Sequence, residues 1–197
     1  MLEETVKRGI AAMLPVYNGG NVTKIITADG QEIIDRKTCK TVLRNIAQIY
    51  NVDLSAIRRH YRKPLNKKLG VPIPLSMDIL LIPIKFRKKP LGANDGTLGY
   101  VNLGQIQGVM PEGRTTSLIN LKSGVVIRSL VSRNTVLEYI KNARLVKNLY
   151  INKHFDVEGE HRLFQHFVKE MGDRYNTILL GARLLQYIDK MIKTRAE

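Results

Sequence analysis

The apolar pattern of this chain changes its period twice, which limits the possible folds more than any other feature of the sequence. Residues 9–34 contain β-branched segments bounded by glycines, a pattern typical of antiparallel strands and tight turns. From about Thr38 the apolar residues recur at spacings of three and four, as on one face of a helix. Residues 69–110 return to short extended segments divided by prolines and glycines. The alternation predicts an α+β fold with small antiparallel sheets or hairpins.

Two consecutive helices are predicted in the middle of the chain. Asp35 or Thr38 is suited to cap the first, and Asp53 is suited to cap the second. We expect the second helix to end at Arg62, because Pro64 disfavours the α conformation in the residue before it.

The C-terminal part of the sequence predicts further helices. Ser132 is a suitable cap for a helix that reaches about Tyr150, and residues 160–171 and 176–192 have helical apolar patterns. The last of these is apolar on more than half of its circumference, which favours deep burial or pairing with a second copy. We therefore divide the chain into an α+β domain, 1–150, and a helical tail, 151–197, that is a possible oligomerisation element.

The net charge of the chain indicates the class of molecule that it binds. The 197 residues include 32 Lys and Arg against 17 Asp and Glu, a net charge of +15. Residues 36–89 alone contain 14 of the basic residues and two acidic ones, which points to a polyanion. No apolar run approaches the roughly 20 residues that span a bilayer, and the single cysteine, Cys39, has no disulfide partner. We expect a cytoplasmic protein that does not bind membranes.

The helix pair has three features of a helix-turn-helix. Ala47 is a small residue where the helices cross, Asn51 tolerates a positive φ in the turn, and Ile57 fixes the packing angle. On a helical wheel Tyr61 falls on the inner face of the second helix, opposite a basic outer face. The alternative is a pair of surface helices whose basic face is only hydrated.

We predict that the basic segment contacts DNA. The outer face of the second helix supplies part of the site, and the cations that follow it supply phosphate or groove contacts. The predicted DNA-binding residues are Ser55, Arg58, Arg59, Arg62, Lys63, Lys67, Lys68, Lys85, Arg87, Lys88 and Lys89.

The order of short motifs resembles the ComK-type competence transcription factors over residues 8–148. The matching motifs are AAMLPVY, TKIITADG, DRKTCKTVL, VPIPLS, ILLIPIKFRKKP, GYVNLGQI and INLKSGVVIRSLVSRNTVLEYIKNARLV, with a Tyr50-to-Arg58 spacing. The resemblance implies a transcriptional activator that binds paired AT-rich boxes as an oligomer, largely through the minor groove. The helix-turn-helix interpretation favours the major groove instead, and the sequence leaves both open.

The chain also departs from that family. Val42-Leu43 stands where the family usually has Phe-Gly after the cysteine, and basic residues replace the aromatic end of the ILLIPIKF region. The neutral tail differs from the family's adaptor-binding C-terminus. Regulation by an adaptor and protease, and a role in competence itself, therefore do not carry over.

We predict no enzymatic activity and no cofactor. A His-rich group at 154–166 lacks a pair of histidines at helical i, i+4 spacing, which favours a solvated loop over a metal site. A nuclease needs converging carboxylates, and the basic segment contains only Asp53 and Asp78. The expected function is that of a double-stranded DNA-binding transcription factor, an activator that binds AT-rich sites as an oligomer. The alternative is an RNA-binding or ribosome-associated basic protein.

Overall fold

The computed structural model describes residues 2–67, 69–92, 95–154, 181 and 184–188. The fold is α+β, as the sequence predicts. The chain divides into two compact units, residues 1–147 and 148–197. The helices in chain order are α1 Leu2–Lys7, α2 Cys39–Ile49, α3 Leu54–Leu65 and α4 Arg133–His154.

Six antiparallel strands form the main sheet. In chain order they are β1 Ile10–Tyr17, β2 Asn21–Thr27, β3 Glu32–Asp35, β4 Ile73–Pro74, β5 Leu80–Lys85 and β6 Leu98–Asn102. Their order across the sheet is β3-β2-β1-β6-β5-β4, so the N-terminal hairpin and the strands after α3 belong to one sheet. The two halves join at the centre, where Ala12 and Met13 pair with Val101 and Tyr100.

One face of this sheet packs against α2 and α3. Met13, Ile25 and Leu81 of the sheet form a buried cluster with Leu43 and Ile46 of α2, each at most 1% exposed. Because side chains alternate along a strand, the other face holds a second buried set. Its members are Ala12, Ile26, Ile82, Ile84 and Val101, and none is more than 1% exposed.

A second sheet of three strands follows in the chain. Its strands are β7 Ile106–Pro111, β8 Ser117–Leu121 and β9 Val126–Ser129, joined as an antiparallel meander. The amide of Leu130, just after β9, donates to the carbonyl of Lys85 at 2.9 Å and ties this sheet to the end of β5.

Asn102 fixes the junction between β1, β5 and β6. Its Nδ2 donates to the carbonyls of Ile10, at 3.1 Å, and Asp78, at 3.2 Å. Its Oδ1 accepts from the amides of Leu80, at 3.3 Å, and Gly104, at 3.2 Å. All the hydrogen-bonding positions of this 3% exposed amide are therefore engaged, and the ends of β1, β5 and β6 are held together.

Several local predictions are confirmed. The N-terminal hairpins and the α2–α3 pair are present, and the Ser132 side chain accepts from the Thr135 amide at 3.3 Å before α4. The predicted end of α3 is wrong. The helix continues through Pro64 to Leu65, because buried Leu65 anchors its last turn, and it ends at Asn66 with φ 49°. Helix α1 was not predicted.

The helical patterns expected at 160–171 and 176–192 lie almost entirely outside the described residues. Of them, residues 181 and 184–188 are helical. Within the described part of the chain, no helix combines the length and apolarity needed to cross a membrane.

Candidate nucleic-acid interface

Helix α2 has an apolar face on its inner side and a basic face on its outer side. Thr38 caps its start by accepting from the Thr41 amide at 3.3 Å. The inner side of the helix belongs to the sheet core, and the outer side exposes Lys40, Arg44 and Gln48 at a spacing of four. Residues at this spacing lie on one side of a helix, so α2 presents a short basic row.

The link from α2 to α3 sets the direction of the second helix. Asn51 has φ 53°, the positive value that the turn was predicted to need. The Val52 amide then donates to the Ala47 carbonyl at 2.8 Å. Asp53 caps α3 by accepting from the amides of Ser55, at 2.7 Å, and Ala56, at 3.2 Å. These backbone bonds hold the pKa of Asp53 below its ordinary value, so its carboxylate is engaged at the helix start.

The side chains of α3 lie on the inner and outer faces that the helical wheel predicts. Tyr61 is 1% exposed and Leu65 is 9% exposed on the inner side, which confirms Tyr61 as a core residue. The outer side exposes Ser55, Arg59, Arg62 and Lys63, and Arg58 is half-buried at its margin. None of these cations forms an ion pair within the part of the chain that the structure describes.

The two basic helices meet along a cleft of about 370 Å³. Lys40 and Arg44 line it from α2, and Ser55 and Arg58 line it from α3. Lys40 and Arg44 were not among the predicted DNA-binding residues, although their spacing of four opposite an apolar stripe was a usable signal. We define the basic helix face as the set Lys40, Arg44, Ser55, Arg58, Arg59, Arg62 and Lys63.

Arg58 links this face to the sheet. Its guanidinium lies against the hydroxyl of Tyr100, a residue of β6 that is 9% exposed. Burial raises the pKa of Tyr100, and Arg58 offsets only part of that rise. The Arg58 side chain therefore lies close to a phenol that stays neutral at the edge of the core.

Lys85 lies on the same side of the sheet as α3. It shares the face of Leu81 and Pro83 because side chains alternate along β5, and it pairs with Leu98 across to β6. Leu98 and Pro83 line a cleft together with Arg62. Exposed Lys85 therefore lies on the face of the sheet that packs against α3, and its strand neighbour Leu98 lines this cleft.

Lys67 has a partner within the protein. Its Nζ lies 2.8 Å from a Glu138 carboxylate oxygen of α4 and 5.1 Å from the ring centre of Tyr139. The Lys67 hydrogen bond and charge hold the pKa of Glu138 below its ordinary value. A phosphate contact by Lys67 would therefore have to displace Glu138. Lys68 lies outside the described residues.

Arg87 does not fit the predicted role in DNA contact. Its side chain is 7% exposed and its guanidinium lies 3.9 Å from the ring centre of Tyr17. It donates to Asn21 Oδ1 at 3.0 Å and to the Gly96 carbonyl at 3.1 Å. Arg87 fastens the loop after β5 to the β1–β2 hairpin, so we exclude it from the candidate interface.

The same loop is braced by Asp95. The Tyr17 hydroxyl donates to Asp95 Oδ2 at 2.7 Å, and Asn21 Nδ2 donates to Oδ1 at 2.6 Å. These bonds and one from the Gly92 amide hold the pKa of Asp95 below its ordinary value, with the Tyr17 bond as the largest cause. Lys88 and Lys89 remain exposed on this braced loop.

The described residues hold no group of three or more His, Cys, Asp or Glu side chains placed to bind a metal ion. The His-rich segment 154–166 lies outside them except for His154. Cys39 is buried, and burial raises the pKa of its thiol to about 12, which suppresses its nucleophilic form.

No protein-family model matches the sequence, and no curated protein and no solved structure matches it either.

Proposed function

We propose that this protein is a double-stranded DNA-binding transcriptional regulator and that the basic helix face contacts the duplex. The observation that carries the proposal is the convergence of six cations from α2 and α3 on one side of a helix pair, with Asp53 already engaged as a cap. Phosphate neutralisation by such a surface supplies affinity in an entropy-driven, salt-dependent way.

The dimensions of the face support a duplex partner. Helix α3 has 12 residues and is about 18 Å long, roughly the rise of five base pairs. Ser55, Arg59 and Arg62 recur along one side of it at spacings of four and three. A rigid row of this length follows a regular backbone better than it follows an irregular single strand.

Two docking modes differ in what gives sequence specificity. In a major-groove mode, Ser55, Arg59 and Arg62 reach base edges and the α2 cations hold one strand. In the minor-groove mode implied by the ComK resemblance, the shape of AT-rich DNA is read instead. The cleft between α2 and α3 favours the first mode, because it places Lys40 and Arg44 beside the α3 row.

The proposed regulator acts as an oligomer on paired AT-rich sites. Two copies double the number of phosphate contacts and fix the separation of the half-sites. This part of the proposal rests on the resemblance and on the apolar pattern of residues 176–192.

Fluorescence anisotropy with three labelled polyanions tests the function. We expect an AT-rich duplex to bind more tightly than a GC-rich duplex and a structured RNA over a salt series, with a steep log-log salt dependence. An RNA that binds as tightly as the AT-rich duplex would favour the alternative, an RNA-binding or ribosome-associated protein. Metal-dependent cutting of any probe would favour a nuclease.

A further inference from the structure

A second cleft, of about 310 Å³, lies between the C-terminal half of α3 and the β4–β5–β6 side of the main sheet. Its floor is apolar and rigid. Val71 is 5% exposed, Ile73 is 1% exposed and Tyr100 is 9% exposed, and Ile73 and Tyr100 belong to the buried cluster under α2. A floor built from core residues is preformed, which lowers the entropic cost of binding.

Two leucines at the mouth of this cleft are exposed to solvent. Leu69 is 81% exposed and Leu98 is 41% exposed, and both are lining residues. Exposed apolar side chains around a concave apolar floor are typical of a ligand site, because an occupant removes both surfaces from water.

One wall of the cleft is cationic. Arg58 and Arg62 line it at a spacing of four on α3, and none of the described residues that line it is acidic. Arg58 lies close to the Tyr100 hydroxyl, whereas Arg62 has no ion-pair partner in the described ranges. A guanidinium binds a carboxylate in a planar, bidentate geometry.

We propose that this cleft binds an apolar carboxylate, with its hydrocarbon body on Val71, Ile73 and Leu98 and its carboxylate on Arg62. The volume is near the lower end of the range for small-molecule sites, so we expect a ligand of roughly a dozen non-hydrogen atoms. An uncharged ligand would leave the Arg62 guanidinium without a partner. A small ion with no hydrocarbon body would leave the apolar floor exposed to water.

Ligand binding has a regulatory consequence that rests on the proposed function. Arg62 belongs to both the cleft and the basic helix face, so a bound carboxylate neutralises a cation that the duplex needs. The ligand therefore weakens DNA binding. The existence of the ligand site does not depend on whether the protein is a DNA-binding regulator.

Titration with 2-naphthoate tests the site. The chain has no Trp, so no tryptophan emission overlaps the fluorescence of the probe. We expect 2-naphthoate to bind saturably and about tenfold more tightly than the uncharged 2-naphthylmethanol. In Arg62→Ala, we expect the two probes to bind with equal affinity. The absence of saturable binding, or equal affinity for the two probes, would overturn the proposal.

The chain offers a matched pair of control variants. Leu69 and Leu91 are 81% and 82% exposed, but only Leu69 lines the cleft. We expect Leu69→Asp to weaken 2-naphthoate binding about tenfold and Leu91→Asp to change it less than twofold. Equal losses in the two variants would mean that the probe responds to net charge alone, which contradicts a site in this cleft.

A final experiment tests the regulatory role of the ligand separately from the existence of the site. We expect saturating 2-naphthoate to weaken binding of the AT-rich duplex severalfold. An unchanged duplex affinity while the probe is bound would overturn the regulation and leave the site intact. A protein that binds 2-naphthoate but no duplex in its absence would contradict the proposed function and leave the site intact.

Discussion

Residues 58–63 and residues 85–89 each contain four cations, yet the structure uses them differently. In α3, the cap at Asp53 and the buried Tyr61 turn the cations outward or to the margin of the helix. In the segment after β5, Arg87 turns inward and fastens a loop. The density of charge is therefore a poor guide to which cations are available to a partner.

The difference arises from the acceptors that surround each cation. Arg87 comes within reach of a side-chain amide, a backbone carbonyl and an aromatic face, which together satisfy and cover its guanidinium. Among the described residues, the outer side of α3 has no such set of acceptors, because the helix uses its own carbonyls internally. Lys67 is intermediate between Arg87 and the α3 cations, because it has a partner, Glu138, but the pair lies at the surface.

The largest expected effect is on DNA affinity when two α3 arginines are removed. We expect Arg59→Ala with Arg62→Ala to weaken binding of an AT-rich duplex about a hundredfold and to reduce the log-log salt slope by about two. The reason is the loss of two charge-assisted contacts at unchanged fold. Anisotropy titrations over a salt series measure both quantities, and circular dichroism checks the fold.

The matched control removes two positive charges elsewhere. Arg114 and Lys122 are exposed in the turns of the three-stranded sheet, outside the basic helix face. Arg114→Ala with Lys122→Ala should change the affinity less than threefold or so, through long-range charge alone. Equal losses in the two double variants would mean that net charge, and not this surface, governs binding.

The next effect is on stability when Arg87 is removed. We expect Arg87→Ala to lower the free energy of unfolding by roughly 2–3 kcal/mol, because the Asn21 and Gly96 acceptors lose their donor and Tyr17 loses its packing partner. Urea denaturation measures this change.

The Arg87→Lys variant tests whether the fold depends on the hydrogen-bonding geometry of Arg87 or on its charge. A lysine keeps the charge but cannot span both acceptors, so we expect most of the stability loss to remain. The salt slope of DNA binding should stay at the value of the unmodified protein in both variants. A slope reduced by about one would place Arg87 on DNA and overturn its structural assignment.

The sequence predicted features that depend on local chemistry. The cap at Asp53, the positive φ of Asn51 and the inward position of Tyr61 all follow from a few neighbouring residues. The burial of Arg87 could not be predicted, because its partners Tyr17 and Asn21 come from a hairpin more than 60 residues earlier in the chain.

Long-range pairing also explains what was missed in the fold. The sequence predicted small antiparallel sheets or hairpins but not how they join, and β1 pairs with β6 to make one sheet of six strands. No turn connects these two strands, so no local signal marks their pairing. The helix end after Pro64 was missed for a similar reason, since burial of Leu65 against the fold outweighs the local cost of the proline.

A smaller effect is expected from the exposed cations of the braced loop. We predict that Lys88→Ala with Lys89→Ala weakens duplex binding about fivefold and reduces the salt slope by between one and two. The loss is smaller than for the α3 pair, because a lysine is a flexible point charge that gives up side-chain freedom in each contact. A loss as large as that of the α3 pair would make the loop an equal part of the interface.

The smallest effect tests whether Glu138 withholds Lys67 from DNA. Glu138→Gln removes the carboxylate that lies 2.8 Å from Lys67 Nζ but keeps the size of the side chain. We expect the freed lysine to tighten duplex binding about twofold to threefold and to steepen the salt slope by about one. Removing any negative charge also strengthens binding weakly, so Glu112→Gln, which releases Arg128 on the three-stranded sheet, is the matched control. A steeper slope in Glu138→Gln alone places Lys67 within reach of a phosphate, whereas equal changes in both variants would leave Lys67 as a structural cation like Arg87.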